Sequence, residues 1–143
     1  MFIDLADGGR ALAPLVVPLL TPDTVVVSAG VGGLVTGAAV ATALAIVVTP
    51  LITRRSESGV SVKIPLVVTG LRVIVVDDGV ETGTAARAVG AALRAGGAVH
   101  LVLAVPVCPR EAEVELRTRY DDIVAVDRPL VRRSLRWHYT TFA

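Results

Sequence analysis

The sequence predicts an α/β domain with a mostly parallel open sheet and helices on both faces. Three observations carry that prediction. Short runs rich in Val, Ile and Leu recur at 25–27, 46–52, 73–76, 98–105 and 123–126, as parallel strands covered on both faces require. Longer Ala-rich stretches with helical spacing lie between several of them, so strand and helix alternate. Two of the strands run directly into Gly-containing turns, SAGVGG at 28–33 and DDGVETGT at 77–84. In open α/β sheets, turns at the carboxyl ends of strands border the ligand crevice.

Composition bounds the reading. A chain of 143 residues with 53% apolar content is long enough to bury one core, so a single domain over 1–143 is expected. The net charge of +1 gives no electrostatic footprint for nucleic acid, although 13 of the 14 basic residues are Arg. The single Cys108 has no partner for an internal disulfide, and no secretory n-region with a cleavage site is visible at Met1. A reducing, cytoplasmic location is the expectation.

Along the chain, Ala11, Leu12, Leu15, Val16 and Leu19 follow helical spacing, with Pro14 and Pro18 expected to keep that helix short or broken. Thr21, Pro22 and Asp23 signal a turn before the first strand. The segment after it, LVTGAAVATALA, reads as a helix of small residues able to pack closely on a sheet. Its glycines match neither phosphate fingerprint. Position 35 is Val rather than the third Gly of a dinucleotide loop, and Ala38 stands where a Walker loop needs Lys. No charge occurs from Thr24 to Thr53, which also admits a membrane-associated structural protein. Against a span, Gly30, Gly32, Gly33 and Pro50 punctuate the stretch and leave too short a central piece.

The strand at 46–52 is expected to end at Arg54 and Arg55, and the segment up to Arg72 offers at most one short strand, with Pro65 placing it at an edge. A helix should start near Ala85 with Val89, Ala92 and Leu93 facing the sheet, and stop at Gly96 and Gly97. A further amphipathic helix is expected over 110–120, followed by a turn at Asp121 and Asp122. His100 and Cys108 read as packing residues.

The chemistry concentrates at 73–84. Ionised Asp77 and Asp78 are pure acceptors and suit a donor-rich partner such as the vicinal hydroxyls of a ribose. Gly79 and Gly83 permit the backbone conformations that aim successive N–H groups at an anion, Thr82 and Thr84 add hydroxyl donors, and the following helix brings its positive end. A diol grip beside an anion nest suits a sugar phosphate.

A hydrophobic strand, two acids and a short loop ending in Thr82, Gly83 and Thr84 resemble the phosphoribosyl diphosphate signature of the type I phosphoribosyltransferases. The resemblance extends upstream to Asp7, Gly9, Arg10, Ala11, Leu12 and Ala13, and downstream to Pro129, Trp137, Tyr139 and Phe142, as in short bacterial members. It implies a type I phosphoribosyltransferase-like fold with a reduced hood and a reduced flexible loop, and a magnesium-dependent glycosyltransferase of nucleotide metabolism.

By the resemblance, Asp77 and Asp78 bind the ribose hydroxyls, while Gly79, Val80, Glu81, Thr82, Gly83 and Thr84 hold the 5′-phosphate. Glu81, at a loop position where the family has a small residue or an Asp, is the candidate general base, with a solvated loop carboxylate as the alternative. Gly32 and Gly33, helped by Ser28, hold the pyrophosphate, and Arg54 and Arg55 assist with phosphates. Mg²⁺ arrives with the phosphoribosyl diphosphate, without direct side-chain ligation. Two further departures stand out. The family's cation before the Gly pair is Val31 here, and only 17 residues separate Arg55 from Val73, too few for the usual lid. A non-catalytic sensor of phosphoribosyl diphosphate or a nucleotide is therefore the alternative. The aromatic tail is expected to be pinned to the core, with Trp137 or Tyr139 over the acceptor base as the alternative. The partner implied is a small molecule with an unassigned acceptor, without nucleic acid or membrane, and a homodimer is compatible with so apolar a chain.

Overall fold

The computed structural model describes residues 1–142. Five strands, β1 (Thr24–Ser28), β2 (Val48–Pro50), β5 (Arg72–Val76), β6 (His100–Val107) and β7 (Asp122–Asp127), form one sheet in the order β2-β1-β5-β6-β7, every pair parallel. Helices α1 (Leu5–Val16) and α2 (Gly30–Leu44) cover one face, and α3 (Thr84–Ala95) and α4 (Arg110–Leu116) the other. This is the architecture that the strand pattern predicts.

Strand alternation divides the core. Val26, Ile74, Val76, Val102 and Ala104 face Leu12, Val16 and Val40 from α1 and α2. Their neighbours Val27, Val73, Val75, Leu101, Leu103 and Val105 face Val89, Leu93, Ala112 and Leu116 from α3 and α4. With both faces covered, an alternating polar pattern would bury polar groups, so the strands read as continuous apolar runs.

Three expectations change in detail. Pro14 lies inside α1 without breaking it, because a proline late in the helix forfeits only one bond of the ladder, and Pro18 falls in a 3₁₀ turn, Val17–Leu19. Leu15, expected on the inner face, is exposed, while Leu12 and Val16 are fully buried. The single strand expected over 46–52 is two, β2 and β3 (Ile52–Ser56). Pro50 ends β2, and buried Leu51 donates its N–H to the Ser28 carbonyl at 2.8 Å, turning the chain out of the sheet. β3 then pairs antiparallel with β4 (Gly59–Lys63), with Arg55 opposite Val60. The linker thus holds a complete short hairpin where at most one strand was expected, and Pro65 lies beyond it. Gly59, at φ +121°, occupies the tight turn between the two strands.

Chain order makes β2 the neighbour of β1 on one side and β5 its neighbour on the other. The connections leave β1 and β5 toward opposite faces, so the crevice of the sheet opens between their carboxyl ends. Those ends are level, with Ser28 paired to Val76 and Ala29 donating to the Val76 carbonyl at 2.9 Å.

Among the described residues no helix is long and apolar enough to cross a membrane; α2, which takes up much of the uncharged segment, has 15 residues.

Candidate active site

The turn after β5 keeps the open form its residues require. Asp77 and Asp78 leave the strand, and Asp77 Oδ1 accepts the Asp78 N–H at 2.7 Å. Gly79 (φ +146°) and Gly83 (φ +86°) adopt backbone conformations that L side chains resist, and Gly83 caps α3. Val80 is buried and donates its N–H to the Val107 carbonyl at 2.9 Å, anchoring the loop to the end of β6. The Thr82 and Thr84 hydroxyls lie 3.2 Å apart. Gly83 and Thr84 lead directly into α3, whose positive end therefore faces the loop.

The turn after β1 behaves differently. Val31, Gly32 and Gly33 are not a free loop but the first turn of α2, which starts at Gly30. That turn lies against the acidic pair. A Cβ on Gly32 would stand 1.9 Å from Asp78 Oδ2, and one on Gly33 would stand 3.1 Å from Asp77 Oδ1. Glycine is demanded here by close approach to the carboxylates.

A cleft of about 650 Å³ opens at this junction. Of the residues expected in the site, Gly32, Arg55, Asp77, Asp78, Gly79, Val80, Glu81, Thr82, Gly83 and Thr84 line it. Ser28, Gly33 and Arg54 do not. Ser28 is buried beneath α2, close enough to Gly37 that a Cβ there would meet the Ser28 Cβ at 2.9 Å, so its hydroxyl does not reach the cleft. Arg54 alternates with Arg55 along β3 and is presented away from the cleft. The hairpin therefore delivers one guanidinium, and it acts on Asp77 across the cleft.

Burial pushes the Asp77 carboxyl well above the ordinary carboxylate range, and the adjoining Asp78 carboxylate pushes it further. Arg55 pulls against this more weakly. Burial also raises Asp78, with Glu81 adding to the rise. Two carboxylates side by side and largely withdrawn from water are costly as anions, and hydroxyl donors or a cation would relieve that cost. Among the described residues no group of three or more His, Cys, Asp or Glu is placed to hold a metal ion.

Tyr139 pins the aromatic tail to the core, as expected. Trp137 is 53% exposed and lies under Arg133, whose guanidinium is 4.6 Å from the ring centroid, while Tyr139 is buried; neither faces the cleft. Leu135 and Phe142 line it instead. Glu81, expected as a base, has Oε1 occupied by the Leu135 N–H at 2.7 Å. The 3₁₀ turn Leu135–His138 decides which side chains face inward, and no periodicity signals it.

Arg87 escaped the sequence reading. From α3 it reaches back to the Thr82 carbonyl and the Thr84 hydroxyl, each at 3.4 Å, and is itself fixed by Glu115 at 2.9 Å. Its position three residues after Thr84, one helical turn into α3, was the available signal. Cys108 is buried, with its thiol pushed up to about 11 by burial and by Glu113, as a packing residue should be.

No protein-family model matches the chain. Curated proteins from two strains of Mycobacterium tuberculosis, named "Putative phosphoribosyl transferase", are 35% identical over 80 residues, 56% of this chain. The match covers 18% of their length, so the chain spans about a fifth of these relatives. Among solved structures, the protein TT1426 from Thermus thermophilus superposes with a TM-score of 0.84 at 22% identity, over 99% of this chain and 91% of that one. A hypoxanthine-guanine phosphoribosyltransferase from Bacillus anthracis gives 0.64 at 18% identity, over 88% and 77%. A purine phosphoribosyltransferase from Pyrococcus horikoshii gives 0.61 at 20% identity, over 90% and 94%. With its parallel sheet, its crevice between β1 and β5 and these likenesses, the chain has the type I phosphoribosyltransferase fold.

Proposed function

We propose that the protein binds phosphoribosyl diphosphate and transfers its ribosyl phosphate to a base or amine. The observation that carries this reading is the meeting, at the crevice of the sheet, of the Asp77–Asp78 pair with the loop at 79–84. The raised carboxyl pair takes the two ribose hydroxyls, which supply the missing donors. The 5′-phosphate lies on the loop, where Thr82 and Thr84 and the start of α3 meet it and Arg87 braces the Thr pair. Arg55 faces the diphosphate.

In the transfer, the bond from ribose C1 to the pyrophosphate oxygen breaks, the bond from C1 to the acceptor nitrogen forms, and the acceptor gives up a proton. Glu81, exposed at the cleft, is the proposed acceptor of that proton. Three carboxylates, Asp77, Asp78 and Glu81, line the cleft against the single guanidinium of Arg55, a balance that suits a cation brought with the diphosphate. Mg²⁺ would supply neutralisation of the leaving group there, held through substrate oxygens with Asp77 and Asp78 behind them. A cytoplasmic location goes with this reading.

One observation favours the second reading, a binding module without turnover. Val31, where the family has a cation, is 85% exposed at the mouth of the cleft and brings no charge. Isothermal titration with phosphoribosyl diphosphate and Mg²⁺, beside the Asp77→Asn/Asp78→Asn double variant, tests both. Saturable binding lost in the variant supports a ribosyl phosphate site, and pyrophosphate release with any base of a broad panel then selects the transferase. Absence of binding to the wild type refutes both readings.

A further inference from the structure

The C-terminal tail touches the acidic loop at Asp78 through Tyr139, which does not line the cleft. Tyr139 is buried, and its hydroxyl donates to the main-chain carbonyl of Asp78 at 2.6 Å, across 61 positions of sequence. The ring is held from several sides. Phe2 stacks on it with centroids 5.5 Å apart, Phe142 meets it edge-on at 5.4 Å, and a Cβ on Gly8 would stand 3.1 Å from the hydroxyl oxygen. The backbone is held too, since Phe2 donates to the His138 carbonyl and Thr140 to the Phe2 carbonyl, both at 2.8 Å.

We propose that Tyr139 is a positioning residue for the acidic pair. Its hydroxyl fixes the peptide joining Asp78 to Gly79 and so couples the docking of the tail to the grip on the ribosyl group. This deepens the ribosyl-phosphate reading above and rests on it.

The geometry of the loop supports the assignment. The Asp78 carbonyl belongs to the peptide that enters Gly79, whose φ of +146° sets the turn of the loop. Leu135 also closes on this turn, its Cδ2 2.5 Å from where a Gly79 Cβ would stand. The peptide is therefore held by two residues of one tail. A carbonyl released from that contact is free to rotate, and the two carboxylates just before it in the chain move with the backbone. Coupling is reciprocal, so a ligand that orders the acidic pair also tightens the tail against it.

Three proteins test the assignment: the wild type, Tyr139→Phe, which keeps the packed ring and removes only the hydroxyl, and Leu93→Val, which thins the core under α3 away from the cleft. The first readout needs no ligand. Carboxyl-carbon NMR titration of Asp77 and Asp78 should show both moving down toward the ordinary carboxylate range in Tyr139→Phe, as the released loop admits water, and unchanged in Leu93→Val. The second is calorimetric affinity for ribose 5-phosphate, expected to weaken roughly fivefold in Tyr139→Phe, the scale of one buried hydrogen bond, and to stay unchanged in Leu93→Val. Wild-type titration in Tyr139→Phe, or equal displacement in Leu93→Val at matched loss of Tm, overturns the positioning role. Shifted carboxyls in a protein that binds neither ribose 5-phosphate nor phosphoribosyl diphosphate with Mg²⁺ uphold the coupling and refute the ribosyl-phosphate reading.

Discussion

The turns after β1 and β5 start from the same plan, a buried apolar strand followed by a Gly-rich segment and a helix, and the structure makes different objects of them. After β5 the chain runs seven residues, 77–83, in an open loop with three acids, Thr82 and two glycines at positive φ before α3 begins at Thr84. After β1 the helix begins at Gly30, so Gly32 and Gly33 are already wound into it and lie on the carboxylates of the other turn. The β5 turn offers donors and acceptors to a ligand, and the β1 turn forms the wall behind the acids. Glycine content alone does not distinguish a phosphate cradle from a close helix–carboxylate contact. The residues between the glycines do, because Thr and Asp sustain a loop by local hydrogen bonds while Val and Leu carry a helix onward.

The comparison breaks most sharply at the acids. Asp78→Asn should abolish measurable binding of phosphoribosyl diphosphate and at the same time raise Tm by a few degrees at pH 7, read by calorimetry and thermal melting. The sign follows from burial. The folded carboxyls titrate above their unfolded value, so the folded state holds more protons than the unfolded state between the two, and stability falls as pH rises through that window. The wild type should therefore lose stability on going from about pH 4 toward neutrality, and Asp77→Asn/Asp78→Asn should flatten that slope.

Next in size is Gly32→Ala. The added methyl collides with the Asp78 carboxylate, so either α2 shifts or the acid does, and we expect a loss of about 1–3 kcal/mol in chemical denaturation together with at least tenfold weaker ligand binding. Gly30→Ala, with only the Asp77 carboxylate near at 3.7 Å but φ at +75°, should cost stability through its backbone and disturb binding less.

Charge is the third difference. Arg55→Met should weaken phosphoribosyl diphosphate roughly tenfold or more, the scale of a lost charge-assisted hydrogen bond, whereas Arg54→Met should leave affinity unchanged, which compares two neighbours on one strand by isothermal titration. Val31→Arg restores a cation at the mouth of the β1 turn. Tighter binding accompanied by turnover would favour the transferase, and tighter binding without turnover the sensing module.

Smallest for the site, though large for the fold, is Leu93→Ala. Emptying a fully buried position under α3 should cost about 2–5 kcal/mol by urea denaturation and leave ligand affinity within error, which separates the core from the cleft.

The layered architecture, the central strand and the β5 turn were legible in the order of residues. The apolar runs were continuous because both faces of the sheet are covered, and the turn was legible because Asp, Gly and Thr act there through local backbone chemistry. Which face each neighbour of that turn presents was set by long-range packing. Arg55 reaches the cleft while Arg54 does not, because the hairpin of β3 and β4 turns one side of the strand inward. Ser28 is buried because α2 lies over it at Gly37. Leu135 and Phe142 form the wall of the cleft, and Tyr139 passes beneath it to Asp78, because the tail docks through contacts with Phe2 and Glu81 far away in the chain. Local patterns record what a backbone needs where it stands, whereas contacts across dozens of residues depend on where the rest of the chain has been packed.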